Sequence, residues 1–377
     1  MNVPKLRFGE FEDEWQDSTL GDVSKVTSGG TPNRANNEFW NGSIPWVSTA
    51  LIDFNVIKEA DEFITEDGLN NSSAKLFPKN TLLMAMYGQG KTRGKVAILG
   101  IEAATNQACA AIMFNEEVDT NFAFHNLSGR YDEIRELSNA GSQENLSAGL
   151  IKELNLSYPQ ITEQQKIANF LSAVDEKITA LTAQKTALTQ YKQGMMQRIF
   201  AQTLRFKDDN GADYPEWEEM RLGDLLDYEQ PTKYLVSSTD YQDDYPIPVL
   251  TAGKTFILGY TDEQGGIFTN LPVIIFDDFT TANKFVNFLF KAKSSAMKML
   301  KNDPTNSNLR FIYETMQLLD FATGDEHKRY WISEYQEQFI FVPCLEEQTK
   351  IAQFLTELDN KINAVDAQIQ SAQQWKQ

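Results

Sequence analysis

The stretch that decides the fold is Glu163–Gln193, EQQKIANFLSAVDEKITALTAQKTALTQYKQ, because the chain contains it twice. The second copy is Glu347–Gln377, EQTKIAQFLTELDNKINAVDAQIQSAQQWKQ, and the copies share 16 of 31 positions without a gap. A proline precedes each copy at the same distance, Pro159 and Pro343. Similarity of this extent indicates an internal duplication.

A weaker repeat joins the starts of the two halves. Three short motifs of the first half return in the same order in the second. They are Leu6–Phe8, Glu14–Trp15 and Leu20–Asp22, which recur as Leu204–Phe206, Glu216–Trp217 and Leu222–Asp224. The segments between these shared ends are unrelated in sequence. We therefore predict that the two halves share one structural frame, formed by these similar starts and the repeated segment. Each half would enclose a different intervening segment, here called its filling.

The repeated segment has the periodicity of a helix with a narrow apolar seam. Its apolar residues follow alternating steps of four and three, the spacing of a coiled coil. The seam residues are Ile167, Leu171, Val174, Ile178, Leu181, Leu188, Met195 and Ile199 in the first copy, and Ile351, Leu355, Leu358, Ile362, Val365 and Ile369 in the second. Lys185 and Lys192 interrupt the first seam. A helix from Thr162 to Phe200 would be on the order of 58 Å long.

Two such seams in one chain favour packing of the helices on each other. Because the chain alternates globular domain and helix, the two helices can pair only if they run antiparallel. The alternative is that each helix packs on its own globular domain. The predicted fold class is α+β, with two mixed α/β domains in tandem, separated by two long helices that form an antiparallel coiled coil with pseudo-two-fold symmetry. The predicted boundaries are 1–158 for the first domain, 159–203 for the first helix, 204–342 for the second domain and 343–377 for the second helix.

The fillings contain many short apolar runs that favour strands. The predicted strands are Thr81–Tyr87 and Lys95–Leu99 in the first half, and Pro246–Leu250, Phe256–Tyr260 and Leu271–Phe276 in the second.

The composition limits the class of protein. With 34 Lys and Arg against 53 Asp and Glu, the formal net charge is −19, which taken alone argues against nucleic-acid binding. A hydrophobic fraction of 41% excludes a disordered acidic chain. Cys109 and Cys344 cannot form a disulfide framework, and no stretch resembles a signal peptide or a membrane span. The expected location is the cytoplasm, with no membrane partner.

The segment Ala85–Thr92, AMYGQGKT, resembles a phosphate-binding P-loop. A P-loop needs a helix after its Lys-Thr pair, whereas Val96–Leu99 favours a strand. The glycine-rich turn carries three cations, Lys91, Arg93 and Lys95, so we predict an exposed basic loop that can approach a phosphate chain. A plain solvated hairpin is the alternative.

Catalytic and metal-binding residues are not evident in the sequence. His125 and His327 are the only histidines, and neither has a metal-ligand spacing to Cys109 or Cys344. We therefore predict a protein with no catalytic residues and no metal site.

Taken in order, the motifs of both halves resemble the specificity (S) subunit of type I restriction-modification systems. In the first half the similar motifs are Thr27–Pro32, Phe39–Gly42, Ile44–Val47, Met86–Val96 and Ala104–Gln107. In the second they are Tyr228–Tyr234, Pro248–Lys254, Pro272–Thr281 and His327–Ile332. Glu163–Ala168 and Glu347–Ala352 resemble the conserved helices of that family. The resemblance covers nearly the whole chain.

The resemblance implies two target-recognition domains, each of which reads one half of a split site in double-stranded DNA. The helix pair would set the spacing between the half-sites. Two methylation subunits would dock on the chain, carry S-adenosylmethionine and methylate adenine N6. Restriction subunits would supply the nuclease. The chain itself would hold no cofactor. The chain departs from the family pattern at its end. The first copy continues past Gln193 to Phe200, whereas the second stops at the matching Gln377, so we expect a shortened second helix, with an end that is either naturally short or trimmed.

Arg, Lys, Asn and Gln make the informative contacts with base edges, and Ser and Thr mostly support phosphates. On this basis we predict DNA contacts in both domains. The candidates are Gln89, Lys91, Thr92, Arg93, Lys95, Asn106, Gln107 and Gln143 in the first domain, and Thr232, Lys233, Lys254, Thr280, Lys293, Lys328 and Arg329 in the second.

Two other functions compete with DNA recognition. An acidic DNA mimic would need carboxylates spaced regularly along a rod, whereas here they cluster in linkers such as Asp208–Glu219. A coiled-coil scaffold without DNA contact would leave the basic loop unexplained. If the chain does recognise DNA, its negative charge predicts contact through local basic loops only, and weak binding without its partner subunits.

Overall fold

The structure is a computed structural model that describes residues 4, 6–88, 91–137, 145–251, 255–278, 280–319 and 330–376. The chain forms two compact units. Unit 1 comprises Met1–Ala180 and Ile369–Gln377, and unit 2 comprises Leu181–Gln368. The boundaries of the units therefore fall within the two long helices.

Unit 1 is a mixed unit of short strands and helices. Its elements are β1 (Gln16–Thr19), α1 (Leu20–Val23), β2 (Ser24–Ser28), β3 (Trp40–Val47), β4 (Asn55–Ile57), β5 (Glu62–Ile64), α2 (Glu66–Asn70), β6 (Leu76–Phe77), β7 (Leu82–Ala85), β8 (Val96–Leu99), β9 (Ala103–Thr105), β10 (Cys109–Phe114), α3 (Thr120–Gly129), α4 (Tyr131–Glu136), α5 (Ala148–Glu153), β11 (Asn155–Tyr158) and the first half of α6 (Ile161–Phe200). The strands form a five-stranded sheet in the order β2-β10-β7-β8-β4, a four-stranded sheet in the order β5-β3-β9-β6, and the pair β1-β11.

Unit 2 has a different filling. Its elements are the second half of α6, β12 (Glu218–Arg221), α7 (Leu222–Leu225), β13 (Asp227–Glu229), β14 (Ile247–Leu250), β15 (Ile257–Thr261), β16 (Val273–Asp277), β17 (Asn283–Val286), β18 (Lys291–Ala292), β19 (Met297–Lys301), α8 (Leu309–Met316), α9 (Tyr330–Ser333), β20 (Phe339–Val342) and most of α10 (Leu345–Lys376). The strands form a four-stranded sheet in the order β13-β19-β16-β17, a three-stranded sheet in the order β15-β14-β18, and the pair β12-β20. The five strands predicted from apolar runs are present, and no end is shifted by more than two residues.

The shared frame contains one buried arginine–carboxylate clamp in each unit. Arg7 donates to both oxygens of Glu163 at 2.7 Å, and Arg205 donates to both oxygens of Glu347 at 3.3 and 2.7 Å. Both carboxylates are buried at the start of a long helix. A charge buried in this way needs a bidentate partner, so the repeated Leu-Arg-Phe and Glu-Gln motifs are two parts of one clamp.

The glutamine that follows each clamp carboxylate closes the same turn in both units. Gln164 donates to the Pro159 carbonyl and Gln348 to the Pro343 carbonyl, each at 2.8 Å. Each glutamine also accepts, at 2.8 Å, from the backbone N–H of a helix N-cap residue. These residues are Asp119 for α3 and Asn308 for α8. The spacing between proline and Glu-Gln in the repeat is therefore set by these hydrogen bonds.

In unit 2 the long helices run antiparallel. Lys185 pairs with Asp366 and Lys192 with Asp359, so a step of seven residues up α6 matches a step of seven down α10. Every predicted seam residue is buried or half-buried. Part of the seam is also the core of unit 2. There Ile199, Ile351, Leu355 and Leu358 share one hydrophobic cluster with the sheet and α8. In unit 2 both predicted alternatives therefore occur at once: the helices pack on each other and also on the globular part of the unit.

Candidate nucleic-acid interface

In unit 1 the glycines of Thr27–Pro32 allow two chain segments to approach closely. Gly30 donates its N–H to the Thr105 carbonyl at 2.8 Å, and its own carbonyl accepts from the Trp46 indole at 3.0 Å. A Cβ on Gly29 would lie 2.0 Å from the Thr105 carbonyl oxygen. No side chain fits there, so this contact requires glycine. It joins three of the motifs noted in the sequence.

Asn106 and Gln107 follow this contact. Asn106 donates its N–H to the Val47 carbonyl at 3.0 Å, and its side chain accepts from the Ala108 N–H at 3.1 Å. Gln107 is exposed and accepts from the Thr31 hydroxyl at 2.5 Å. Asn106 therefore shapes the turn, whereas Gln107 presents an amide to solvent.

The basic loop lies beside this turn. Met86 donates its N–H to the Ala108 carbonyl at 2.8 Å, so the loop leaves β7 next to residues 106–108. Ala85 and Lys95 close the loop, with the Ala85 N–H donating to the Lys95 carbonyl at 2.9 Å. Four predicted contact residues, Lys91, Thr92, Lys95 and Gln107, thus lie in neighbouring segments.

Helix α4 holds the basic loop through two hydrogen bonds. The Tyr131 hydroxyl donates to the Lys91 carbonyl at 2.6 Å, and the Arg93 guanidinium donates to the Arg135 carbonyl at 2.9 Å. We predicted that all three loop cations are exposed, and for Arg93 this is wrong. Only 7% of Arg93 is accessible, because its side chain turns inward to α4. Lys95 is partly buried and pairs with Asp53 at 2.6 Å, whereas Lys91 is exposed.

The turn after Lys91 and Thr92 leads directly into β8. The helix that a P-loop requires at this position is absent from residues 91–99, all of which are described. The strand that the sequence predicts after this turn is therefore confirmed.

In unit 2 the ends of several strands meet. Asp277 at the end of β16 lies opposite Met297, the first residue of β19, and Glu229 at the end of β13 lies opposite Met299, two residues further on. Lys293 directly follows β18 and donates its N–H to the Leu250 carbonyl at 2.9 Å, at the end of β14. The four described candidates of this unit all follow these strand ends. They are Thr232, Lys233, Thr280 and Lys293.

A buried ion pair supports this edge. Lys298 contacts Asp278 at 3.0 Å, and Asp278 also accepts from the Trp331 N–H at 3.1 Å. The following Thr281 has a φ of 61°, a left-handed conformation that is unfavourable for a β-branched residue. Thr281 is held there by its N–H, which donates to the Asp277 carbonyl at 2.9 Å, and the turn presents Thr280 to solvent.

The family model described as the type I restriction modification DNA specificity domain matches the chain twice, over residues 12–190 and 214–372. The chain belongs to this family. Each match covers one filling and most of the long helix that follows it, and each filling carries one candidate interface.

Several specificity subunits of this family are similar to parts of the chain. The type I restriction enzyme EcoR124I/EcoR124II specificity subunit of Escherichia coli is 51% identical over 162 residues, which cover 41% of this chain and 40% of that protein. The MjaIX specificity subunit of Methanocaldococcus jannaschii is 27% identical over 234 residues, 59% of this chain and 54% of that protein. The matches to these two relatives thus span about half of their length or less.

Two further comparisons extend over nearly the whole chain. The EcoprrI specificity subunit of Escherichia coli is 23% identical over 96% of this chain and 91% of its own length. The crystal structure of a type I restriction-modification S subunit from M. genitalium has the same fold, with a TM-score of 0.69 at 16% identity, and the match covers 99% of this chain and 96% of that one. The predicted α+β fold with tandem domains and long central helices is confirmed by this likeness.

Five candidate contact residues lie outside the described residues. They are Gln89, Gln143, Lys254, Lys328 and Arg329. Within the described part of the chain, no helix is both long and apolar enough to cross a membrane.

The candidate interface of unit 1 also contains aromatic residues that the sequence did not indicate. Phe54 and Tyr131 pack edge to face with ring centroids 5.3 Å apart, beside Lys91 and Lys95. Residues 54 and 131 lie far from the basic loop in sequence, and no local motif marks them. The pairing of β4 with β8 places residue 54 beside the hairpin of β7 and β8, and the hydrogen bonds of α4 add Tyr131.

Proposed function

We propose that this chain is the DNA-recognition subunit of a type I restriction-modification complex, in which each unit reads one half of a bipartite site. The observation that carries this proposal is the double match to the DNA specificity family, one match for each of two unlike fillings on one frame. Two different half-sites require two different reading surfaces. The two units, whose candidate interfaces differ, therefore meet this requirement.

The chain itself would act without catalysis. Methylation subunits, two in the complete assembly, would dock on the frame and bind S-adenosylmethionine, and restriction subunits would supply the nuclease. The helix pair would set the distance between the half-sites. The family match favours this function over an acidic scaffold or a DNA mimic, because neither of those needs a specificity domain.

The net charge of −19 fits an obligate assembly. A protein with this charge is repelled by the phosphate chain except at local basic loops. The chain alone should therefore bind DNA weakly, and the partner subunits would contribute the missing positive charge.

Mapping methylated adenines tests the proposal. Cells that express the chain with its cognate methylation subunit should acquire one new bipartite motif, absent from cells with the methylation subunit alone. A chain that changes no methylation pattern, although it assembles with the methylation subunit, would contradict the proposal.

A further inference from the structure

Phe54 has a strained backbone and an exposed ring. Its φ is 53°, in the left-handed region, which is a rare conformation for a bulky side chain. Its N–H donates to the Val96 carbonyl at 2.9 Å, which fixes the backbone against β8. Phe54 is 37% accessible, so part of its ring faces solvent.

The ring is held beside the basic loop. Tyr131 packs edge to face against Phe54 and donates its hydroxyl to the Lys91 carbonyl. The Lys95 ammonium lies 5.7 Å from the centre of the Phe54 ring and pairs with Asp53. One tyrosine therefore fixes both an exposed cation and an exposed aromatic ring.

The chemistry of DNA limits what this ring can contact. Lys91 is suited to a phosphate, which would bring the neighbouring ring towards the base edges. In the major groove those edges carry hydrogen-bonding groups and a single kind of apolar group, the thymine 5-methyl. A phenyl ring cannot form the hydrogen bonds, but it can pack on the methyl.

We infer that Phe54 contacts the 5-methyl group of a thymine in the half-site read by unit 1, and so helps to determine specificity. This inference rests on the proposed function. It explains why a position that would suit Asn or Gly instead carries an exposed phenylalanine in a left-handed conformation.

The test uses the chain assembled with its methylation subunits and a DNA duplex that carries the motif found by methylation mapping. Each thymine of the site is replaced in turn by uracil, which removes only the methyl group. We expect one thymine of a single half-site at which uracil lowers the affinity of the wild-type complex about fourfold, the value for one buried methyl. Phe54→Ala should bind both versions equally well, and Phe54→Leu should retain part of the difference.

Phe63→Ala is the matched control, because Phe63 is 39% accessible but lies on β5 in the other sheet of unit 1. It should keep the wild-type uracil profile. The uracil scan of the wild-type complex decides even if Phe54→Ala does not fold. A complex that binds its site but tolerates uracil at every position would overturn the inference and leave the proposed function intact. A wild-type complex that binds no bipartite site would instead contradict the proposed function.

Discussion

Lys192 on α6 donates to both carboxylate oxygens of Asp359 on α10, at 2.8 Å each. In the aligned repeats the matching residues are Lys376 and Asp175, and these form an ion pair in unit 1. The lysine that interrupts the apolar seam is therefore part of the duplicated frame. A polar residue at a seam position fixes the register of two helices, because any other register leaves it unpaired.

Replacement of Lys192 should destabilise unit 2. Lys192 also contacts Glu314, of which only 1% is accessible, and without Lys192 the one cation that pairs with this carboxylate and Asp359 among the described residues is Arg310. Lys192→Met should lower the free energy of unfolding by about 2 to 3 kcal/mol, somewhat below the cost of breaking a fully buried pair. Denaturant unfolding followed by circular dichroism measures this.

Lys185→Met is the control for that experiment. Lys185 and Asp366 are 40% and 36% accessible, so solvent screens their ion pair. We expect a loss of about 0.5 kcal/mol. Equal losses for the two variants would show that burial does not distinguish the two seam lysines.

His125 in unit 1 should make stability depend on pH. Burial lowers the pKa of His125 to about 4, and nearby Lys376 adds to this effect, against the opposing influence of Asp175 and Asp119. The Ser172 hydroxyl lies 3.0 Å from Nε2. The folded state thus binds fewer protons than the unfolded state between pH 4 and the ordinary value of 6.5. The contribution of neutral His125 to the free energy of unfolding is fully present above pH 6.5, and it is lost as the pH decreases towards 4.

The expected loss from pH 7.5 to pH 5 is about 2 kcal/mol for the wild type. His125→Gln removes the titrating group, and the difference between the two pH values should shrink by that amount. Unfolding of both proteins at both pH values measures this. A variant with the same pH difference as the wild type would exclude His125 as its source.

The tryptophans of the frame provide a matched pair. The Trp217 indole donates to the buried Glu347 carboxylate at 3.1 Å, whereas the buried indole N–H of Trp15 has no hydrogen-bond partner among the described residues. Both positions lose similar volume on replacement by phenylalanine, but only Trp217→Phe removes a hydrogen bond to a charge. We expect Trp217→Phe to cost about 1.5 kcal/mol more than Trp15→Phe in thermal unfolding. Similar costs would contradict this assignment.

The frame was predictable from the sequence because it is periodic and repeated. The seam residues, the strand pair around the basic loop and the family all follow from local patterns. The partners of Lys192 were not predictable, because Glu314 and Asp359 lie far away in sequence. The burial of Arg93 was missed for the same reason, since α4 begins about 40 residues later. Phe54 carries no local signal, because a left-handed φ at a bulky residue is visible only in three dimensions.

Lys91 and Arg93 should affect DNA binding in different ways, although both are cations of one loop. Lys91 is exposed, and as a phosphate contact it would release a counterion on binding. Lys91→Ala in the assembled complex should weaken binding and lower the slope of log K against log salt by about 1. Lys293→Ala, in unit 2, should give the same change in slope.

Arg93 instead positions the loop, because its guanidinium is buried against the Arg135 carbonyl. Arg93→Ala should weaken binding and relax the unit 1 half-site while the salt slope stays at the wild-type value. Tyr131→Phe, which removes the other hydrogen bond to the loop, should behave in the same way. Affinity measured at several salt concentrations, together with methylation mapping of each variant, separates the two roles. A reduced slope for Arg93→Ala would mean that Arg93 turns outward and contacts a phosphate. Relaxation of the other half-site would show that the basic loop does not read the half-site assigned to unit 1.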